Sequence, residues 1–177
     1  LGLWLRHLQD PIHVTSIFVT HDQEEALEVA DRIVVMNKGR IEQAGEPNEV
    51  FQNPATEFVM KFLGDVNVFH GRLHNEAPVF SDEHRGEGPV RLLVRPHDLT
   101  VQLKPGGGIS LPAQVSRVLL AGPLVKIELT SQGRLVQVQV PHETYRATPV
   151  GAGQSVHLVP KGSRVYGAET EAMEYVI

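Results

Sequence analysis

The residue best suited to chemistry in this chain is His21, which lies between an apolar run and a helical run. Residues 17–20 form a short apolar run rich in β-branched side chains, a pattern that predicts a buried strand. Asp22 and Glu25 have the spacing of an N-terminal capping box, which predicts a helix beginning at Asp22. Because a helix start has unpaired N–H groups and the positive end of the helix dipole, an imidazole at this junction is suited to phosphate contact.

A single histidine in such a place has two interpretations. It can contact a ligand at the carboxyl end of a strand, where open α/β sheets bind theirs. It can equally be a packed or solvated side chain without a role in chemistry, which is what most histidines are. The residues alone leave both interpretations open.

The wider segment 19–43, VTHDQEEALEVADRIVVMNKGRIEQ, closely resembles the switch-histidine segment of ATP-binding cassette (ABC) transporter ATPases. The resemblance is long, ungapped and idiosyncratic. It implies that His21 is catalytic, that it contacts the γ-phosphate of ATP and that it helps to position the attacking water. Asp22 takes the position that follows the switch histidine in that family.

Further elements are predicted around this segment. Residues 1–10 have apolar side chains at helical spacing, which predicts an amphipathic packing helix. Residues 32–43 predict a β-hairpin that turns at Gly39, and residues 48–52 and 56–63 predict two short helices. The sequence GEPNEVFQNPATEFVMKFLGDVN, residues 45–67, resembles the end of an importer-type ABC ATPase domain. Its last six residues, FLGDVN, followed by Phe69 and Gly71, are especially similar to the sulfate/thiosulfate importers.

Beyond residue 67, glycine and proline recur every few residues and short alternating runs predict strands. The predicted strands are 66–73, 90–94, 99–103, 111–120, 124–129, 135–141, 155–159 and 164–166. VRPHDL, residues 94–99, and AGPLVKIEL, residues 121–129, resemble the accessory barrel called TOBE that follows importer-type ATPases. The expected fold is therefore the α/β C-terminal part of a P-loop ABC ATPase domain, residues 1–67, followed by an all-β OB-like (TOBE) regulatory barrel, residues 68–177.

Composition and charge disfavour several classes of function. Residues 1–67 have a net charge of −6 and residues 68–177 a net charge of +1, which together give the −5 of the chain. A nearly neutral barrel with few aromatic residues disfavours nucleic-acid binding. The sequence has no cysteine, and we expect no metal site because the spacing of His70 and His74 is not completed by a carboxylate pattern. No apolar run reaches the length of about 20 residues that a membrane helix needs, and no secretory signal is present.

The resemblance implies the ATP-hydrolysing subunit of an importer, using ATP and Mg²⁺. It implies a homodimer of ATPase subunits that works with membrane-spanning permease subunits and, indirectly, with an external sulfate-binding protein. Its place would be cytoplasmic and peripheral, on the inner face of the cell membrane. The phosphate cradle G-x-x-x-x-G-K-[ST] is absent from the sequence, which begins with Leu1, so we expect a piece of a longer subunit that is inactive alone.

A second hypothesis comes from a different class of protein. Residues 68–177 could be the working part of a non-enzymatic regulatory or dimerisation module, or of an oxyanion sensor in which Arg95 and His97 hold an anion. The competing interpretation of Arg95 is structural, with its guanidinium bonded to backbone carbonyls.

Overall fold

A computed structural model describes residues 15–74, 77–80, 87–161 and 164–167 of the chain. The chain divides into two compact units, Leu1–Gly64 and Asp65–Ile177. The helix predicted over residues 1–10 lies outside the described residues. In the part of the chain that is described, no helix has the length and apolar character needed to cross a membrane.

Among its described residues, the first unit contains three short helices and one hairpin. These are α1 (Gln23–Val29), β1 (Ile33–Asn37), β2 (Arg40–Gly45), α2 (Pro47–Gln52) and α3 (Glu57–Phe62). The hairpin and the two later helices are confirmed. Lys38 and Gly39 form the two-residue turn with φ values of 45° and 77°, as the mirror-image turns that suit the strand twist require.

Apolar side chains from the hairpin and the helices share one small core. Its buried members are Ile33, Val35, Val50, Val59 and Leu63. The alternation along β1 explains the arrangement, because Ile33 and Val35 are buried whereas Val34 between them is exposed.

A glutamine side chain fixes the loop between α2 and α3. Gln43 donates from Nε2 to the carbonyl of Asn53 at 2.9 Å and accepts at Oε1 from the N–H of Ala55 at 2.7 Å. The side-chain amide thereby provides hydrogen-bond partners for two backbone groups of the loop. Thr56 then caps α3 by accepting from the N–H of Val59 at 3.2 Å.

The prediction of a buried strand at residues 17–20 is wrong for this chain. These residues have no regular secondary structure, and Ile17 and Val19 are 92% and 97% exposed. A strand needs a neighbour for its N–H and C=O groups. Among the described elements, β1 and β2 form a two-stranded sheet, and residues 17–20 pair with neither of them.

The second unit is rich in strands. They are β3 (Asn67–His74), β4 (Ala77–Val79), β5 (Glu87–Val94), β6 (Leu99–Gln102), β7 (Leu111–Ala121), β8 (Leu124–Ser131), β9 (Arg134–Pro141), β10 (Ser155–Pro160) and β11 (Arg164–Gly167). All eight predicted strands are confirmed, each within three residues at either end. The sequence prediction missed β4, whose three residues are too few to show alternation.

The prediction that this unit is all-β needs correction. A helix, α4 (His142–Ala147), joins β9 to β10, and a 3-10 turn (Pro96–Asp98) precedes β6. Pro141 leads directly into α4, where its fixed φ suits the start of a helix, and Tyr145 anchors the helix by donating to the carbonyl of Val150 at 2.8 Å. Six residues are too few for helical periodicity to appear in the sequence.

The strands form two sheets around one core. The larger sheet has the order β6-β10-β7-β8-β9 and the smaller one β11-β5-β3-β4. The edge strands β6 and β9 of the larger sheet approach each other, so that this sheet curls towards a barrel and the fold is OB-like. The largest fully buried side chains of the shared core are Phe69, Leu92, Leu99, Leu111, Ile127, Leu129 and Leu158.

Two more amide side chains join β3 of the smaller sheet to β9 and its turn. Asn67, 7% exposed, donates to the carbonyl of Gln137 at 2.7 Å and accepts from the N–H of the same residue at 2.8 Å. Gln132 accepts from the N–H of His70 at 3.1 Å and donates to its carbonyl at 3.0 Å. Each amide pairs both backbone groups of one residue, as a neighbouring strand would.

Candidate functional site

His21 lies in an exposed bend immediately before α1. Asp22 is the N-cap of this helix, and its side chain accepts from the N–H of Glu25 at 3.0 Å. The predicted helix start is therefore confirmed. Glu24 and Glu25 lie in the first turn, where carboxylates interact favourably with the helix dipole.

The predicted capping box is only half formed. The N–H of Asp22 donates to Thr20 Oγ1 at 3.0 Å rather than to the side chain of Glu25. The Thr20 hydroxyl in turn lies 3.5 Å from Glu25 Oε2, to which it can donate. Sequence reasoning treated Thr20 only as part of a strand and missed this contact, although a hydroxyl two residues before a backbone N–H is a recognised turn pattern.

Hydrogen bonds thus hold the backbone on both sides of His21, while the imidazole faces solvent. Thr20 is bonded to the backbone of Asp22, and Asp22 is bonded to the backbone of Glu25. His21 itself is exposed, so a ligand can reach its ring. An imidazole held in this way can donate a hydrogen bond to an anionic oxygen.

Arg95 and His97 do not share one open pocket. Arg95 is only 5% exposed, whereas the side chain of His97 is 54% exposed. His97 Nε2 lies 3.8 Å from Asp98 Oδ2, and a carboxylate so close disfavours an anion at the same ring. The burial of Arg95 agrees with its structural interpretation.

Two other described histidines, His70 and His157, have polar side-chain neighbours. His70 Nε2 lies 2.6 Å from the guanidinium of Arg134, and His157 Nδ1 lies 3.4 Å from Ser110 Oγ. Within the described ranges, no group of three or more histidine, aspartate or glutamate side chains is placed to hold a metal ion. The side chain of His74 lies outside the described residues, so the pair His70 and His74 stays untested.

The chain is similar in sequence to one known type of domain and to several curated proteins. Residues 105–161, from the loop before β7 to the end of β10, match the model of the TOBE-like domain. The chain is 43% identical over 175 residues to the sulfate/thiosulfate import ATP-binding protein of Nitrosomonas europaea, covering 91% of this chain and 48% of the relative. It is 44% identical over 178 residues to the protein of that name from Bacillus cereus, covering 94% of this chain and 49% of the relative.

A solved structure of the cytoplasmic molybdate-binding protein ModG matches 45% of this chain and 62% of its own, with a TM-score of 0.38 and 16% identity. That similarity is too slight to establish a common fold. The chain spans about half the length of the curated relatives it matches. Their match nevertheless runs through both units, and over this extent the chain is similar to sulfate/thiosulfate import ATP-binding proteins and contains a match to the TOBE-like domain.

Proposed function

We propose that this chain is part of the ATP-hydrolysing subunit of an ABC importer that energises the uptake of sulfate or thiosulfate. The observation that carries the proposal is the identity of 43% over 175 residues to a relative whose name states that role. In this assignment residues 1–67 are the C-terminal part of the nucleotide-binding domain. Residues 68–177 are the accessory TOBE domain.

His21 is the proposed catalytic residue. Its exposed imidazole donates a hydrogen bond to a γ-phosphate oxygen of ATP, and the bond strengthens as negative charge develops on that oxygen in the transition state. The same ring helps to orient the attacking water. The bonds that Thr20 and Asp22 make to the backbone support the role, because a donor aimed at developing charge works best when it is held in place beforehand.

ATP and Mg²⁺ are the proposed substrate and metal of the whole subunit. The phosphates need a cradle of backbone N–H groups and a lysine, and that motif is not among the residues of this sequence. We therefore expect this chain by itself neither to bind ATP tightly nor to hydrolyse it.

The proposed partners follow from the importer assignment. Two ATPase subunits form a homodimer, which engages membrane-spanning permease subunits from the cytoplasmic side and depends indirectly on an external sulfate-binding protein. No nucleic-acid partner is proposed. The oxyanion-sensing alternative receives no support from Arg95 and His97, because one is buried and the other faces Asp98.

The test of this function is the uptake of labelled sulfate. Cells that lack their own importer ATPase would receive the whole subunit, and we expect sulfate uptake to return. A form of the subunit without residues 15–64 is the control, since it loses His21 and should restore nothing. Failure of the whole subunit to restore uptake of either sulfate or thiosulfate, with the protein present at normal levels, would contradict the proposal.

A further inference from the structure

We infer that Thr20 is a positioning residue for His21, and this inference rests on the proposed function. Thr20 is half-buried and lies directly before the histidine. Its hydroxyl accepts a hydrogen bond from the N–H of Asp22, which lies directly after the histidine, at 3.0 Å. The backbone of His21 is thus enclosed by a bond between its two neighbours.

The same hydroxyl also faces the helix. Thr20 Oγ1 lies 3.5 Å from Glu25 Oε2, and the N–H of Glu25 donates to Asp22 Oδ1 at 3.0 Å. Thr20, Asp22 and Glu25 therefore form a closed set of hydrogen bonds around the bend. None of the three bonds uses the imidazole, so the ring stays available to a ligand.

The arrangement fixes the direction of the His21 side chain and takes no part in the reaction itself. The Cβ of His21 leaves the chain at a point where the backbone on either side is held, so removing the bond between Thr20 and Asp22 lets the histidine sample other directions. A displacement of about 1 Å at a catalytic group can lower a rate by up to about a hundredfold. Thr20 touches no substrate and acts only through His21.

The experiment uses the whole subunit and three threonine variants. Thr20→Val removes the hydroxyl at nearly constant shape, and Thr20→Ser keeps it. Thr15→Val is the matched control, because Thr15 is exposed and makes no hydrogen bond to any other described residue. We expect Thr20→Val to lower kcat for ATP hydrolysis about tenfold with an unchanged KM, as for an interaction that matters only in the transition state, and Thr20→Ser and Thr15→Val to leave both values near wild type.

Two further readouts separate positioning from a merely structural role. In a His21→Ala background, Thr20→Val should cause no additional loss of kcat, because a residue that acts through His21 has nothing left to position. In this chain without the rest of the subunit, Thr20→Val should speed hydrogen exchange at the amide of Asp22 while the exchange of the barrel amides stays unchanged.

The outcomes are distinct. If His21→Ala lowers turnover but Thr20→Val leaves it unchanged, the positioning role is wrong and the proposed function stands. A tenfold loss from Thr20→Val that persists in the His21→Ala background, or that Thr15→Val reproduces, also overturns the positioning role. If His21→Ala itself has no effect on turnover, the proposed role of His21 fails first.

Discussion

The two units of this chain differ in how completely they pair their backbone groups and bury their apolar side chains. In the second unit every strand has a partner in one of two sheets, and leucine, valine and isoleucine side chains fill a common core. In the first unit the hairpin and helices share a small core, yet Ile17 and Val19 beside the candidate site are almost fully exposed. The strands of the barrel pair with one another, whereas residues 17–20 have no paired strand among the described residues.

The two regions differ in which residues specify their folding. A barrel strand is specified by alternation and by the strand it meets, and both are present in residues 65–177. An apolar run such as residues 17–20 specifies a strand only when a second strand is available to pair with it. The chain spans about half of its relatives, and we propose that residues 17–20 pair within the whole nucleotide-binding domain.

The largest expected effect concerns the barrel core. Leu129→Ala should lower the free energy of unfolding by about 2–5 kcal/mol, because Leu129 is fully buried between the sheets and its removal leaves a cavity. Leu135→Ala on the next strand is the control, since Leu135 is 64% exposed and should cost no more than about 0.5 kcal/mol. Urea unfolding followed by circular dichroism measures both. Equal losses for the two leucines would contradict the assignment of the core.

A smaller effect is expected at the amide that joins the two sheets. Asn67→Ala should cost about 1–3 kcal/mol of unfolding free energy, because it leaves the N–H and C=O of the half-buried Gln137 without the side chain that pairs them. Gln132→Ala removes the same kind of contact where water can replace it and should cost about 1 kcal/mol or less. If the two costs are reversed in urea unfolding, burial does not govern the strength of these contacts.

The smallest effect in this chain is expected at the exposed apolar run. Val19→Ser should change the unfolding free energy of this chain by less than about 0.5 kcal/mol, because Val19 is 97% exposed. In the whole subunit, where we propose that the run is buried, the same substitution should cost more than about 1 kcal/mol. Thermal unfolding of both forms measures the contrast. A negligible cost in both forms would show that residues 17–20 are never buried.

Much of the fold is predictable from local pattern. The hairpin turn at Gly39 and the strands of the barrel follow from alternation and from turn residues. The missed elements are short ones, β4 and α4, in which three and six residues carry too little periodicity to be recognised. Residues 17–20 are a different case. Their apolar, β-branched composition is typical of a strand, but the partner that a strand requires is not among the described elements.

The sequence singles out His21 as a candidate, but it does not reveal the contacts around it. Resemblance to the family singled out His21, and the spacing of Asp22 and Glu25 predicted the helix that follows. The hydroxyl of Thr20 was missed because a threonine at the end of a β-branched run looks like one more strand residue. Arg95 and His97 are neighbours in sequence with opposite exposure, which only the placement of the 3-10 turn decides.

The proposed action of His21 on the transition state of ATP hydrolysis can be tested by measuring ATP binding and ATP turnover of the whole subunit with His21→Ala. We expect the affinity for ATP to stay near wild type and turnover to fall by about a hundredfold or more, as when one transition-state donor is lost. His97→Ala, which removes an exposed histidine of the barrel, should change neither quantity. Unchanged turnover in His21→Ala, or equal losses of binding and turnover, would contradict the claim.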